Sequence, residues 1–373
     1  MIRPIAPARM RKEIIMTRRI LSRILLVVVA IFGLFVLSGV LLAQGNSDTA
    51  FERVKAVQER HTDTLMGIKG VVGTAVGLDE ANGHVVIVLV EKEGLPGIPN
   101  NLGGVPVRPV VTGKIYALPK GGNGASGKPP APPVDRTARF DRPVPIGVST
   151  GHPAITAGTI GCRVTDGTNV YALSNNHVYA DENLAHIGDA VIQPGTLDGG
   201  ASPADDIGTL ADFEPIVFYN YAYPPIPIPT NTMDAAIALS PTGLLGKTTP
   251  SDGYGTPKSA TASALLSINA PVKKYGRTTG LTKGKIWAAN ATVDVGYGPG
   301  KTARFVGQII ITPGTFSAGG DSGSLVVMDA GKGRNPSDDR KPVGLLFAGS
   351  STHTIACPIN PVLNRFGVTV DGE

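Results

Sequence analysis

Cysteine is scarce in this chain: two residues in 373, Cys162 and Cys357. Two thiols cannot build a metal framework, and the six histidines (61, 84, 152, 177, 186 and 353) include no close pair at ligand spacing, so no metal and no cofactor is expected. Each cysteine lies in an apolar, strand-like stretch, which leaves a disulfide and two buried thiols equally open. Basic charge is also missing from most of the chain. Seven of the 34 Lys and Arg fall in the first 23 residues against one acid, Glu13, so the remainder carries 27 basic and 28 acidic side chains. With no basic stripe and no interleaved aromatics there, a nucleic-acid partner is excluded. Helical signals are few from residue 158 onward. Glycine (48) and proline (31) make about one residue in five a chain breaker, which favours many short strands over long helices. Strands are expected at 159–164, 169–174, 190–193, 235–239, 272–275, 284–292, 303–311, 324–328 and 343–349.

The early charges belong to an export signal. Arg18, Arg19 and Arg23 precede residues 24–43, an uncharged apolar run, and this order directs insertion with the N-terminus in the cytoplasm. The run is long for a signal peptide and long enough to span a bilayer, so residues 1–43 read as a signal peptide or a signal anchor. Either places the rest of the chain outside the cytoplasm, and any membrane contact is expected through this segment alone. Residues 47–118 form a second unit. Thr49-Ala50-Phe51-Glu52 is a capping box, Phe51, Val54, Val57 and Leu65 recur at helical spacing, and strands are expected at 71–78, 84–90, 105–111 and 114–118. A small α+β domain follows from that order. Residues 119–150, rich in glycine and proline, read as a linker, and 151–373 as the main domain.

Three polar residues stand where burying them is costly. Ser322 lies in Gly319-Gly320-Asp321-Ser322-Gly323-Ser324, a tight turn running into the apolar stretch 325–328. His177 directly follows the apolar run 170–173 within Ser174-Asn175-Asn176-His177. Asp234 stands at the mouth of the apolar strand 235–239. A serine hydroxyl is a weak nucleophile until a base takes its proton and fixed donors await the oxyanion. The order His, Asp, Ser, at separations of 57 and 88 positions, is one that nucleophilic acyl transfer uses. Asp205 and Asp206 are rival aspartates, nearer His177 in sequence, but their Ser-Pro-Ala context reads as an exposed turn.

These motifs resemble those of the trypsin-like (chymotrypsin-fold) serine peptidases, over roughly the last 210 residues. The stretch 272–284 resembles the strand that opens the second barrel in bacterial secreted members, and the segments 192–200 and 207–210 are similar to the branch that includes the plant narrow-leaf type proteins. The resemblance implies a mainly β fold of two antiparallel six-stranded barrels with the active site in the crevice between them. It implies Ser322 as nucleophile, His177 as general base, Asp234 as the residue orienting the imidazole, and the Gly320 and Ser322 amides as oxyanion hole. By the same resemblance Phe316, six residues before Ser322, sets the base of an apolar specificity pocket. Asp321 then needs a buried cationic partner, for which Lys274 is expected ahead of Arg277. The proline-stiffened aromatic stretch 218–229 either walls the cleft or packs on the barrel.

The function this implies is an extracytoplasmic serine endopeptidase acting on peptide or protein substrates. Two alternatives share the residues: a peptidase-fold binding protein whose site is occluded, by the aromatic stretch or by the N-terminal unit, and an esterase using the same triad.

Overall fold

Alternation of apolar and small polar residues, broken every few positions by glycine or proline, yields strands wherever two backbones can pair. The computed structural model describes residues 49–118, 134–262, 267–331 and 335–373. The export segment expected over 1–43 lies outside these residues. Among the described residues no helix is long and apolar enough to cross a membrane.

The strands in chain order are β1 (Val71–Leu78), β2 (His84–Val90), β3 (Val105–Val111), β4 (Ile115–Ala117), β5 (Cys162–Thr165), β6 (Val170–Ser174), β7 (Ala190–Ile192) and β8 (Asp206–Phe213). They continue as β9 (Ala236–Leu239), β10 (Pro271–Gly276), β11 (Gly280–Gly298), β12 (Lys301–Thr312), β13 (Leu325–Met328), β14 (Pro342–Gly349) and β15 (Thr354–Pro358). Several two-residue pairings supplement them. The mainly β expectation holds, and the helices are short apart from α1 (residues 49–66). The others are α2 (Asn176–Tyr179) and α3 (Ile359–Phe366).

Two sheets carry the main domain. In the first, antiparallel neighbours run β7-β8-β9-β6-β5 and end on Thr369–Val370. In the second, β12-β15-β14-β13-β10-β11 pair antiparallel in sequence, and β11 also pairs with β12, so the ladder returns to its start. Val164, Ala172, Leu173, Ile207 and Ala238 fill the first, and Val272, Ile286, Ile311, Val326 and Leu346 the second, each without exposed surface. Fully burying one such aliphatic side chain stabilises by roughly 1.5–3 kcal/mol.

The described part of the expected α+β unit, 49–118, is joined to the second sheet through main-chain hydrogen bonds. β1 pairs with β11 (Gly73 opposite Val293, Thr74 opposite Thr292), and β2 and β3 continue outward from it. On α1, Val54, Gln58, Thr62, Leu65 and Met66 are the buried positions, so the buried stripe includes two polar residues. Gln58 Nε2 donates to Thr74 Oγ1 at 2.7 Å, which satisfies both where they meet β1. The described end of the expected linker is packed rather than free: Val144, Ile146 and Val148 have no exposed surface.

Candidate active site

The register between β6 and β9 fixes the first half of the site. Ala236 lies opposite Ser174 and Ile237 opposite Leu173, so the residues preceding β9 meet those following β6. His177 therefore arrives beside Asp234 on α2, a single helical turn rather than a strand end. The His177 amide donates to Asp234 Oδ1 at 3.2 Å, and its ring Nδ1 stands 2.6 Å from Asp234 Oδ2. Asn175 has no exposed surface and donates from Nδ2 to the Asp234 carbonyl at 2.7 Å. Asp234 is itself fully buried. Its second carboxylate partner is the Tyr297 hydroxyl, which donates to Oδ2 at 2.8 Å, and its amide donates to Cys357 Sγ at 3.3 Å. Burial, with the Asp234 charge added, holds the Tyr297 phenol protonated well above its ordinary range, so it stays a donor. Among the described residues no Lys or Arg pairs with Asp234.

The second half is the turn before β13. Gly320 and Gly323 take φ of +94° and +91°, a backbone that side chains resist, so the turn needs both glycines. Between them, Asp321 is fully buried and accepts from the amides of Thr278 (2.9 Å), Thr279 (3.2 Å) and Ala318 (3.0 Å) and from the Thr279 hydroxyl (2.7 Å). Lys274 Nζ, also without exposure, lies 3.3 Å from Asp321 Oδ2. The expected lysine is thus the counter-ion. Arg277 turns away, its guanidinium forking onto both Asp198 oxygens. Burial lowers the Lys274 pKa, and the adjacent Asp321 charge opposes that shift.

Thr159 links the two halves. Its amide donates to the Ser322 carbonyl at 2.8 Å and its hydroxyl to the Gly320 carbonyl at 2.8 Å, while the Ser174 hydroxyl donates to its own carbonyl at 2.8 Å. A Cβ on Gly158 would meet Val178 at 2.5 Å and the Ser322 carbonyl at 3.1 Å, so the residue after His177 and the turn lie on either side of one glycine. At this junction Ser322 Oγ and His177 Nε2 are both buried, and neither has a hydrogen-bond partner. They do not bond to each other. Leaving a buried polar atom unsatisfied costs about 1–3 kcal/mol, a strain that concentrates at sites built for a ligand. Catalytic hydrogen bonds are often long without substrate and tighten when it binds. Among the described residues the amides of Gly320 and Ser322 find no protein acceptor either.

The remaining expectations fall as follows. Asp205 is not an exposed turn residue: it has no exposed surface, pairs with Arg139 Nη2 at 2.6 Å and accepts from the Ala201 amide, and so is spoken for away from His177. Phe316 is 1% exposed in the apolar cluster with Val272, Ile286, Ile311 and Leu346. The 218–229 stretch packs on the β11–β12 hairpin through Phe218, edge-on to Tyr297 at 5.1 Å, and Tyr219, bonded to Thr302, while Tyr223 and Ile226 project to solvent. The cysteines are two buried free thiols, and burial pushes the Cys162 thiol up to about 12. Asn175, Tyr297 and Cys357 are the site residues that sequence reasoning missed. Asn175 sits inside the quoted histidine motif and carried a usable signal; Tyr297, in a glycine-rich hairpin, carried none.

Neither a family model nor a curated protein matches the chain. Similar solved structures include a glutamic acid specific serine protease that uses a histidine triad in substrate binding, at 21% identity and TM-score 0.42, covering 61% of this chain and 100% of that one. Cellulomonas bogoriensis chymotrypsin is similar at 19% identity and TM-score 0.39, covering 63% and 100%. Nocardiopsis protease is similar at 18% and 0.40, covering 61% and 99%. Likeness at that level bears on neither the substrate nor the activity of this chain.

Proposed function

We infer that the chain is a serine endopeptidase of the trypsin-like kind, in which Ser322, His177 and Asp234 act as one unit. One observation carries this reading: the His177 imidazole is fixed by a 2.6 Å contact to the buried Asp234, its buried Nε2 and the buried Ser322 hydroxyl are both left unpartnered, and the neighbouring Val178 and the Ser322 carbonyl both close on Gly158. In the reaction Ser322 Oγ attacks the substrate carbonyl as His177 Nε2 takes its proton. Asp234 holds the tautomer with the proton on Nδ1 and stabilises the imidazolium that forms. The carbonyl oxygen, now negative, is received by the Gly320 and Ser322 amides, each such donor lowering the barrier by about 3–4 kcal/mol. His177 returns the proton to the leaving amine, and water repeats the sequence on the acyl-enzyme. The arginine-led apolar run of 24–43 supports export and so an extracytoplasmic place of action.

The test is covalent labelling. A fluorophosphonate probe is expected to add one phosphonyl group to Ser322 in the folded chain, with fluoride leaving, and none in Ser322→Ala, whose stability should lie within about 1 kcal/mol of the parent. Absence of an adduct on Ser322 in every folded form of the chain would remove the hydrolase reading. Ester hydrolysis without peptide hydrolysis in a labelled chain would instead select the esterase.

A further inference from the structure

β14 meets three successive partners along one edge. Leu345 and Gly344 pair with β13 (Leu325 and Val326). Leu346 then exchanges hydrogen bonds with the nucleophile turn, accepting from the Gly323 amide at 2.8 Å and donating to the Ser324 carbonyl at 3.0 Å. From the next residue onward the partner is the chain's own segment 115–118. The Phe347 carbonyl accepts from the Leu118 amide at 3.2 Å, Ala348 lies opposite Ala117, and Gly349 lies opposite Tyr116, antiparallel. β4 thus continues the edge where the Ser322 turn leaves off, and Leu118, the residue after β4, bonds to Phe347 beside the turn's own partner Leu346. On its other side β4 runs parallel to β11, with Ile115 opposite Val295 and Tyr116 opposite Gly296.

The side chains of this segment are sorted as a bound peptide's would be. Leu118 packs against the apolar cluster that contains Phe316, Ile309, Val326 and Ala356. Gly349 leaves room for it, since a Cβ there would come 3.3 Å from Leu118 Cδ2. Tyr116, Ala117 and Leu118 line a cavity of about 240 Å³ together with His177, Val178 and Tyr297. An extended peptide added to a sheet edge draws affinity from main-chain hydrogen bonds and selectivity from the pocket that takes a side chain.

Resting on the peptidase reading, we propose that Ile115–Leu118 occupies the substrate groove, so that the chain carries its own occupant and stays blocked until that segment leaves. The groove takes an extended peptide whose residue at the Leu118 position is a leucine-sized aliphatic. The pocket around Leu118 is apolar, and the nearest buried ammonium, Lys274, is already committed to Asp321, so a charged side chain there would be buried without a partner. A tethered strand competes at an effective concentration of roughly millimolar, enough to exclude ordinary peptide substrates.

The experiment uses the full chain, Leu118→Asp, and Leu118→Gly, the last emptying the pocket while keeping the strand amide. Two rates are read for each: fluorophosphonate labelling of Ser322, and hydrolysis of the anilide of Ile-Tyr-Ala-Leu. Both variants are expected to hydrolyse the anilide at least tenfold faster than the unaltered chain. They should also prefer it at least tenfold over the same peptide ending in lysine or glutamate. Variants that keep the parent's thermal midpoint and label at Ser322, yet hydrolyse no faster than the unaltered chain, would overturn self-blocking; equal rates on the leucine and lysine anilides would overturn the pocket assignment. If none of the three chains labels at all, the peptidase reading falls and takes this proposal with it.

Discussion

Asp234 and Asp321 are both buried without exposed surface, one leading into β9 and the other into β13, yet their surroundings are opposite in kind. Asp321 is saturated. Three amides, a hydroxyl and the Lys274 ammonium surround it, which neutralises its charge and locks the turn that carries Ser322. Asp234 receives an amide, a phenol and an imidazole, with no permanent cation among the described residues. A charge already compensated holds structure; one left for a neighbour to compensate during reaction can lower a barrier.

The largest effect that would break this comparison is on rate. In the unblocked Leu118→Asp chain, Asp234→Asn should lower kcat for peptide hydrolysis on the order of 10⁴-fold, because the amide favours the wrong imidazole tautomer, with little change in thermal midpoint. Steady-state kinetics with matched melting curves check it. Removing Asp321's counter-ion should act on stability instead. Lys274→Ala leaves a carboxylate buried without its cation, and chemical denaturation should show a loss of about 3–5 kcal/mol.

A third test concerns a histidine outside the site. His353 is 7% exposed, with its ring 4.6 Å from that of Trp287, and burial lowers its pKa to about 4. The unfolded chain, near 6.5, therefore binds this proton first as pH falls. The contribution is full above pH 6.5 and is lost progressively down to about pH 4, amounting to no more than about 3 kcal/mol. His353→Gln should flatten that part of the stability–pH curve. The smallest effect is expected for Tyr297→Phe. Losing one hydroxyl donor to the Asp234 carboxylate, worth about 1.5 kcal/mol, should slow hydrolysis about tenfold while leaving the Lys274–Asp321 half untouched.

Much of this arrangement was legible in the chain. The three proposed site residues stood at the edges of apolar runs, and the family resemblance pointed to Lys274 as the cation for Asp321. The local strand signals also located most elements. They failed where distant partners decide. The stretch expected as a strand over 284–292 extends to Gly280–Gly298, because β1, β4, β10 and β12 all bond to parts of it. The strand expected over 159–164 is split at Gly161, where a Cβ would come 2.4 Å from the Gly323 carbonyl. Nothing local told that 115–118 would lie along β14, since main-chain pairing at a sheet edge leaves little trace in sequence. Cys357 beside the Asp234 amide was equally hidden, its thiol being an ordinary small apolar core residue by pattern.

The central claim is that Asp234 and His177 together make the Ser322 hydroxyl reactive. Its most direct measurement is the rate of phosphonylation at Ser322, read by site-resolved mass spectrometry in the Leu118→Asp chain with and without His177→Ala. The account predicts rapid modification of Ser322 that falls at least a thousandfold when the imidazole is removed, in line with the loss on removing such a base. Equal rates in the two chains, both folded, would contradict it.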